Sequence, residues 1–313
     1  MSTKERLIES VEELRRYLTD SSNNLPAKES TGLKQNYVTT GHDVETGELI
    51  PLGDIERCGG FYVSGKPRTG KSHLLTWLAL QDIVRGHGLL FIDPHADAIK
   101  AILARLVPTR MEDVILLDPT DTEYSFGINP LYCTNPNDLR ERQLCFGQAR
   151  DVFSKIFGKE EEKLNILLSK YLGNCLYPLI ENQGYTLYDI WYFIHNTSFR
   201  ESLLSNVKSH PEVVKFWHDE FEKMPPRDQR KEVESLMNRI ESLRRNPYIK
   251  HIISQPKSTI DFADVMQRRK IVLLHIPSWQ DDESRSFIGT LVISQLLKVI
   301  FLRAEISEHL GFV

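Results

Sequence analysis

Between Gly59 and Ser72 the chain reads GGFYVSGKPRTGKS, and this stretch gathers the residue types that could grip a phosphate. Gly65, Lys66, Pro67, Arg68, Thr69, Gly70, Lys71 and Ser72 match the spacing G-x-x-x-x-G-K-[ST], the Walker A pattern. Gly65 and Gly70 let the backbone curl, so that successive N–H groups turn inward as an anion nest. A helix following the loop would add its positive N-terminal end. Lys71 would reach the β- and γ-phosphates of a nucleoside triphosphate, and the Ser72 hydroxyl would join the shell of a Mg²⁺. A plain glycine-rich turn would also satisfy the spacing. The context favours phosphate, because Phe61-Tyr62-Val63 predicts a strand before the loop and a helical pattern follows it.

These residues need a scaffold, and the flanking pattern supplies one. A helix is expected from Ser72 to about Arg85, apolar on several sides and ended by Gly86 and Gly88. Leu89-Leu90-Phe91-Ile92 predicts a buried strand that closes on Asp93-Pro94-His95-Ala96-Asp97. A helix over 98–106 and a strand over 114–117, ending at Asp118-Pro119, come next. This alternation implies right-handed crossovers and a parallel sheet, hence an α/β fold. Residues 37–52 predict a hairpin that turns at Thr46-Gly47 and pads the sheet edge beside the loop. Residues 4–19 predict an amphipathic helix with Leu7, Val11, Leu14 and Leu18 on one face, docked on a partner or on its own domain. A linker runs from there through Pro26. From about Asn137 to Ser254 the period is helical, with Trp191, Phe193, Phe199, Phe216 and Trp217 as core aromatics. Val233, Leu236, Met237, Ile240 and Leu243 mark one helix of that region. The sheet returns at Ile271 to Ile276, and a helix follows over 282–304. The expected division is 1–36 as helix and linker, 37–136 as the first part of the α/β domain, 137–255 as a helical insertion, and 256–313 as the return.

Composition narrows the classes. The 313 residues are 41% hydrophobic and 26% charged, as in ordinary globular proteins. A formal charge of −4 gives no global pull toward nucleic acid, so any DNA contact must be local. Cys58, Cys133, Cys145 and Cys175 lack metal-ligand spacing and read as reduced thiols. No secretory signal opens the chain. Its most apolar stretch, Phe287 to Leu302, is interrupted by Gln295 and Lys298 and is shorter than the roughly 20 residues of a span. It predicts a buried helix and a cytoplasmic protein.

Other residues admit two readings. Asp93 could stand beside the Mg²⁺, or it could cap the turn after its strand. His95 and Asp97 could join it at a metal, or simply belong to that turn. Glu160 to Glu162 reads as a solvated face. Arg227, Arg230, Lys231, Arg239, Arg244 and Arg245 could track a DNA backbone, but interspersed acids favour a solvated helix with i,i+4 pairs. Arg285 and Arg303 are candidates for an arginine finger.

Taken together, the motifs resemble the HerA–FtsK superfamily of P-loop ATPases, in its type IV secretion and conjugative coupling-protein branch. The residues are the phosphate loop, FIDPHAD at 91–97, VILLDPTDTEYSFGINPL at 114–131, FWHDEF at 216–221, NRIESLRRNP at 238–247 and KIVLLHIPS at 270–278. The resemblance covers roughly residues 41–313. It implies a RecA-like sheet with an all-α insertion, ATP and Mg²⁺ as cofactors, a hexamer, and DNA moved through its ring. Three departures stand out. Ala96 replaces a usual glycine; Pro67 and Arg68 replace the commoner Thr-Gly, and Pro67 has no N–H to donate. Third, the family's Walker B strand, ending in Asp-Glu, would follow the 282–304 helix, but the chain stops at Val313. The expectation is therefore tight ATP binding without turnover by this chain alone. A non-hydrolysing nucleotide-binding module docked on a membrane-bound secretion partner is the alternative. A small-molecule kinase fits less well, since the helical insertion is large for a lid.

Overall fold

The computed structural model describes residues 37–121, 123–157, 162–277 and 281–303. The helix expected at 4–19, its linker and the side chains of the acidic run at 160–162 lie outside these. The described residues divide into two units, one comprising those up to Leu116 and Val265–His275, the other Leu117–Asp264 and those from Ile276 to Arg303.

In the first unit, β1 (Tyr37–His42) and β2 (Leu49–Gly53) form the expected antiparallel hairpin. The Asp43 carboxylate accepts the N–H groups of Glu45 and Thr46 in its turn. The hairpin remains a separate two-stranded sheet instead of lining the main sheet's edge. After the short helix α1 (Asp54–Cys58) and the loop, α2 (Lys71–Val84) takes up the hairpin. Thr39 N–H donates to Gln81 Oε1 at 2.8 Å, and Trp77 Nε1 donates to the Thr39 carbonyl at 2.9 Å. Arg57 pairs with Asp82 at 2.5 Å and Arg85 pairs with Asp54, so α1 is tied to the same helix. Gly86, at φ 82°, ends α2, and the His87 N–H returns to the Asp82 carbonyl.

The main sheet has the order β3-β5-β4, from β3 (Leu89–Asp93), β4 (Val114–Leu117) and β5 (Ile271–His275). β3 and β5 are parallel, in register from Leu89↔Ile271 to Asp93↔His275. Ile271 to Leu274 are all buried, as the continuous apolar run of a strand covered on both faces requires. Ala79 and Ile83 of α2, Ile99 and Ile102 of α3 (Asp97–Ala104), Leu89, Ile271 and Leu273 form one core. Arg110 clamps the sheet's lower end, donating to the carbonyls of Ile83, His87 and Arg269. The strand expected at 61–63 is not found: no described strand lies alongside it, and Phe61 and Tyr62 are exposed. β-favouring side chains do not make a strand without a partner ladder.

The second unit is helical: α4 (Leu139–Phe157), α5 (Glu162–Asn182), α6 (Asp189–His195), α7 (Thr197–Leu204), α8 (Pro211–Lys215), α9 (Pro226–Arg245) and α10 (Pro247–Ile253). The short α11 (Phe262–Gln267) precedes β5 in the chain, and α12 (Asp282–Arg303) follows it. α4 packs on α5 and on α12, and α9 packs on α5. The helix expected to rejoin the α/β domain therefore belongs to the helical unit. By length and composition α12 could span a membrane, yet one face is buried in protein through Phe287, Ile288, Leu291, Gln295 and Lys298. The FWHDEF motif forms a π-helical turn, Phe216–Phe221, in which Glu222 N–H reaches back to the Trp217 carbonyl.

The asparagine of the 114–131 motif is a structural tie. Asn129 is 1% exposed, and its Nδ2 donates to the carbonyls of Tyr185 and Pro256, each at 2.8 Å. Its Oδ1 accepts from Leu131 N–H at 3.0 Å. Asn129→Ala strands these buried groups and is expected to cost about 2–3 kcal/mol; a urea midpoint unchanged from wild type would refute that role.

Candidate functional site

The phosphate loop sits at the N-terminus of α2, in the first unit. Arg68 and Gly70 both have left-handed backbones, φ 66° and 91°, so the chain curls where the motif predicts. At Gly70 a side chain would be strained, and a Cβ on Gly65 would lie 2.7 Å from Thr69 Oγ1. The local geometry therefore favours glycine at both positions. The Thr69 hydroxyl donates to the Lys66 carbonyl at 2.8 Å. Lys71 folds back over the loop, and its Nζ donates to the carbonyls of Gly65 and Lys66 at 2.8 and 2.7 Å.

Electrostatically the loop is basic. Lys66, Arg68 and Lys71 bring three cations within six residues, and no acid lies among 65–72. Loop residues 64–70 are exposed. The chain makes a turn at 67–68, and among the described residues no backbone partner is found for the N–H groups of Arg68 and Gly70. A tight glycine turn with left-handed backbone, a helix N-terminus and a lysine arched over the concavity fit a phosphate group. The Ser72 hydroxyl, on the first turn of α2, is exposed beside them.

From Ser72 a cleft of about 420 Å³ runs between α2 and α3, lined by His73, Thr76, Trp77, Leu80, Asp97 and Arg105. Sequence reading missed this face. Its signal is the spacing 73, 76, 77, 80 along one side of α2, a pattern hidden in a helix that is apolar on several sides.

Asp93 does something else. It is buried at the end of β3, and its carboxylate accepts the N–H groups of His95, Ala98 and Ile99 at 2.9, 2.8 and 3.3 Å. It thus organises the turn and the start of α3, the capping alternative. Ala96 adopts φ 62° in that turn. Among the described residues Asp93, His95 and Asp97 do not converge their ligand atoms on one point. Asp93→Ala is expected to destabilise the fold by about 1–3 kcal/mol, because three amides lose their acceptor, and to leave nucleotide affinity unchanged. Chemical denaturation and nucleotide titration of the variant check both halves.

Other charged candidates are placed as follows. Arg239 is buried, and its Nη1 donates to the Ser235 carbonyl at 2.9 Å. Arg244 pairs with Glu241 and lies 5.2 Å over the Trp191 ring, while Arg227, Arg230, Lys231 and Arg245 are exposed on α9. Arg285 pairs with Asp282 one turn earlier.

No family profile and no curated protein matches the chain. Among solved structures, the fold is similar to the bacterial conjugative coupling protein TrwBΔN70 in its unbound monoclinic form. The TM-score is 0.51 at 13% identity, over 81% of this chain and 54% of that one. The chain thus spans about half the length of that structure. At such identity the likeness establishes the fold, an α/β unit with a parallel sheet accompanied by many helices.

Proposed function

We propose that this chain binds ATP·Mg²⁺ through Gly65–Ser72 and works as the nucleotide-binding portion of a DNA-translocating coupling ATPase of the conjugative type. The observation that supports it most is the loop itself: left-handed Arg68 and Gly70, the α2 N-terminus and the arched Lys71 in one basic turn. In this reading the backbone N–H groups of the loop and Lys71 hold the β- and γ-phosphates, and Ser72 contributes to Mg²⁺. The bound Mg²⁺ would neutralise charge on the phosphates. Likeness to a conjugative coupling protein directs the reading toward DNA, a homo-oligomeric ring and the cytoplasmic side of a membrane-bound partner.

A specific observation also favours the second reading, a module that binds nucleotide without hydrolysing it. The carboxylate at the end of β3 accepts three backbone amides, which supports a turn-capping role for Asp93 over a place on the Mg²⁺ side. Two titrations separate the readings. With labelled single- and double-stranded DNA, ATP·Mg²⁺ is expected to tighten binding several-fold for the wild type and not for Lys71→Ala. DNA affinity indifferent to nucleotide would remove the translocase reading and leave nucleotide binding standing. Steady-state turnover above the Lys71→Ala control would remove the non-hydrolysing one.

A further inference from the structure

We propose that Cys133 and Cys145 are a modification site: a thiol pair inside the helical unit that closes to a disulfide under a small hydroperoxide and reopens with a dithiol. The phosphate loop plays no part in this argument. The two sulfurs lie 3.2 Å apart although no metal-ligand spacing links them in sequence. Cys133 belongs to the turn after Asn129-Pro130-Leu131, and Cys145 to the second turn of α4. Both are buried, as are the two charged residues beside them, Glu141 and Lys298.

Those two charges give the pair its asymmetry. Lys298, on α12, donates to the Tyr132 carbonyl at 3.0 Å and stands 3.7 Å from Cys145 Sγ. Glu141 is held by the N–H groups of Thr134 and Asn135 at 2.7 and 2.9 Å and lies 4.0 Å from the Lys298 ammonium. The Cys133 thiol donates to Cys145, which with the adjacent ammonium holds Cys145 below the ordinary thiol range against the opposing effect of burial. Cys133 is pushed up by the same hydrogen bond and by burial. One sulfur is thus the nucleophile and the other keeps its proton until the second step.

The cluster also has the donor set of a metal site, two thiols and a carboxylate. Lys298 argues against that use. Its ammonium already supplies the positive charge beside Cys145 and Glu141, where a divalent cation would be repelled.

The chemistry balances with a hydroperoxide as oxidant. The Cys145 thiolate attacks one peroxide oxygen; an S–O bond forms, the O–O bond breaks, and the departing oxide takes up a proton as water or alcohol. The Cys133 sulfur then attacks Cys145 Sγ. The S–S bond forms, the S–O bond breaks, and hydroxide leaves as water with the Cys133 proton. Two thiols lose two electrons and two protons, and one peroxide is reduced. Hydrogen peroxide, close to water in size, needs only local opening to reach the pair.

The test treats the folded chain with hydrogen peroxide, then unfolds it in acid with an alkylating agent and maps peptides by mass spectrometry. The native protein has four free thiols, with Cys58 exposed, so Cys58→Ser serves as the parallel background. The expected result is a linked Cys133–Cys145 peptide two hydrogens lighter than its parts, lost again with dithiothreitol, and an upward shift of the melting temperature. Lys298→Met, which keeps both sulfurs, is expected to slow bridging several-fold at neutral pH. Full alkylation of Cys133 and Cys145 after Cys58 has been oxidised would overturn the proposal. So would one Zn²⁺ per chain held through dialysis and lost when both thiols are alkylated.

Discussion

Lys71→Ala is expected to weaken ATP·Mg²⁺ binding about a hundredfold or more, roughly 2.7 kcal/mol, without disturbing the fold. The asymmetry between binding and stability follows from where the ammonium sits. Without ligand, Lys71 Nζ serves two neutral carbonyls, Gly65 and Lys66, in an exposed loop where water can replace it. Each such bond contributes little net stability. Against a triphosphate the same ammonium makes charge-assisted bonds to anionic oxygens, and hydrogen bonds of that kind are worth about 1.5–3 kcal/mol each. Calorimetric titration reports the first half and thermal melting the second. Equal affinities for variant and wild type would mean that Gly65–Ser72 is not the nucleotide site.

Trp217→Ala should produce the largest loss of stability, about 3–5 kcal/mol. Trp217 is 0% exposed, and its ring is met edge-on by Phe221, Phe193 and Phe216 at centroid distances of 4.8, 5.1 and 5.3 Å. The Arg200 guanidinium lies 5.3 Å over its face. Its Nε1 donates to the Asn174 carbonyl at 3.0 Å, so truncation leaves both a large void and an unpaired acceptor. Arg200 in turn donates to the carbonyls of Phe193 and Ile194 and to Glu222. Loss of the ring therefore unseats α6, the π-helical turn and α5 together. Urea denaturation followed by tyrosine and remaining tryptophan emission measures the cost. A loss under about 1 kcal/mol would show that the aromatic cluster is not the core of this unit.

Much of this architecture is legible in the sequence, for identifiable reasons. Ile271 to Leu274 are apolar without interruption because β5 is buried on both faces, and Leu89 to Ile92 are apolar on a β3 that is buried at Leu89 and half-buried beyond it. The Val233, Leu236, Ile240 and Leu243 stripe marks the buried side of α9. Gly65 and Gly70 reveal the loop because a Cβ at the first would crowd the Thr69 hydroxyl and the second has a left-handed backbone that side chains rarely adopt. What is illegible depends on distance along the chain. Nothing near Phe61 says whether a neighbouring strand will pair with it. The tie from Asn129 to Pro256 crosses more than a hundred residues, as does the contact that brings Lys298 to Cys145. Asp93 illustrates a subtler limit. Four apolar residues followed by aspartate fit a metal-side acid and a cap equally well, and only the amides of His95, Ala98 and Ile99 decide between them. The affiliation of α12 is similar: its long apolar run fits either unit, and the buried Gln295 and Lys298 disclose the side that packs on α4.

The most direct measurement is equilibrium titration of the wild-type chain with ATP in the presence and absence of Mg²⁺, read by calorimetry. The account predicts saturable binding to one site per chain, strengthened by Mg²⁺ and competed by inorganic triphosphate. Absence of binding up to millimolar ATP, or binding that inorganic triphosphate does not displace, would contradict it.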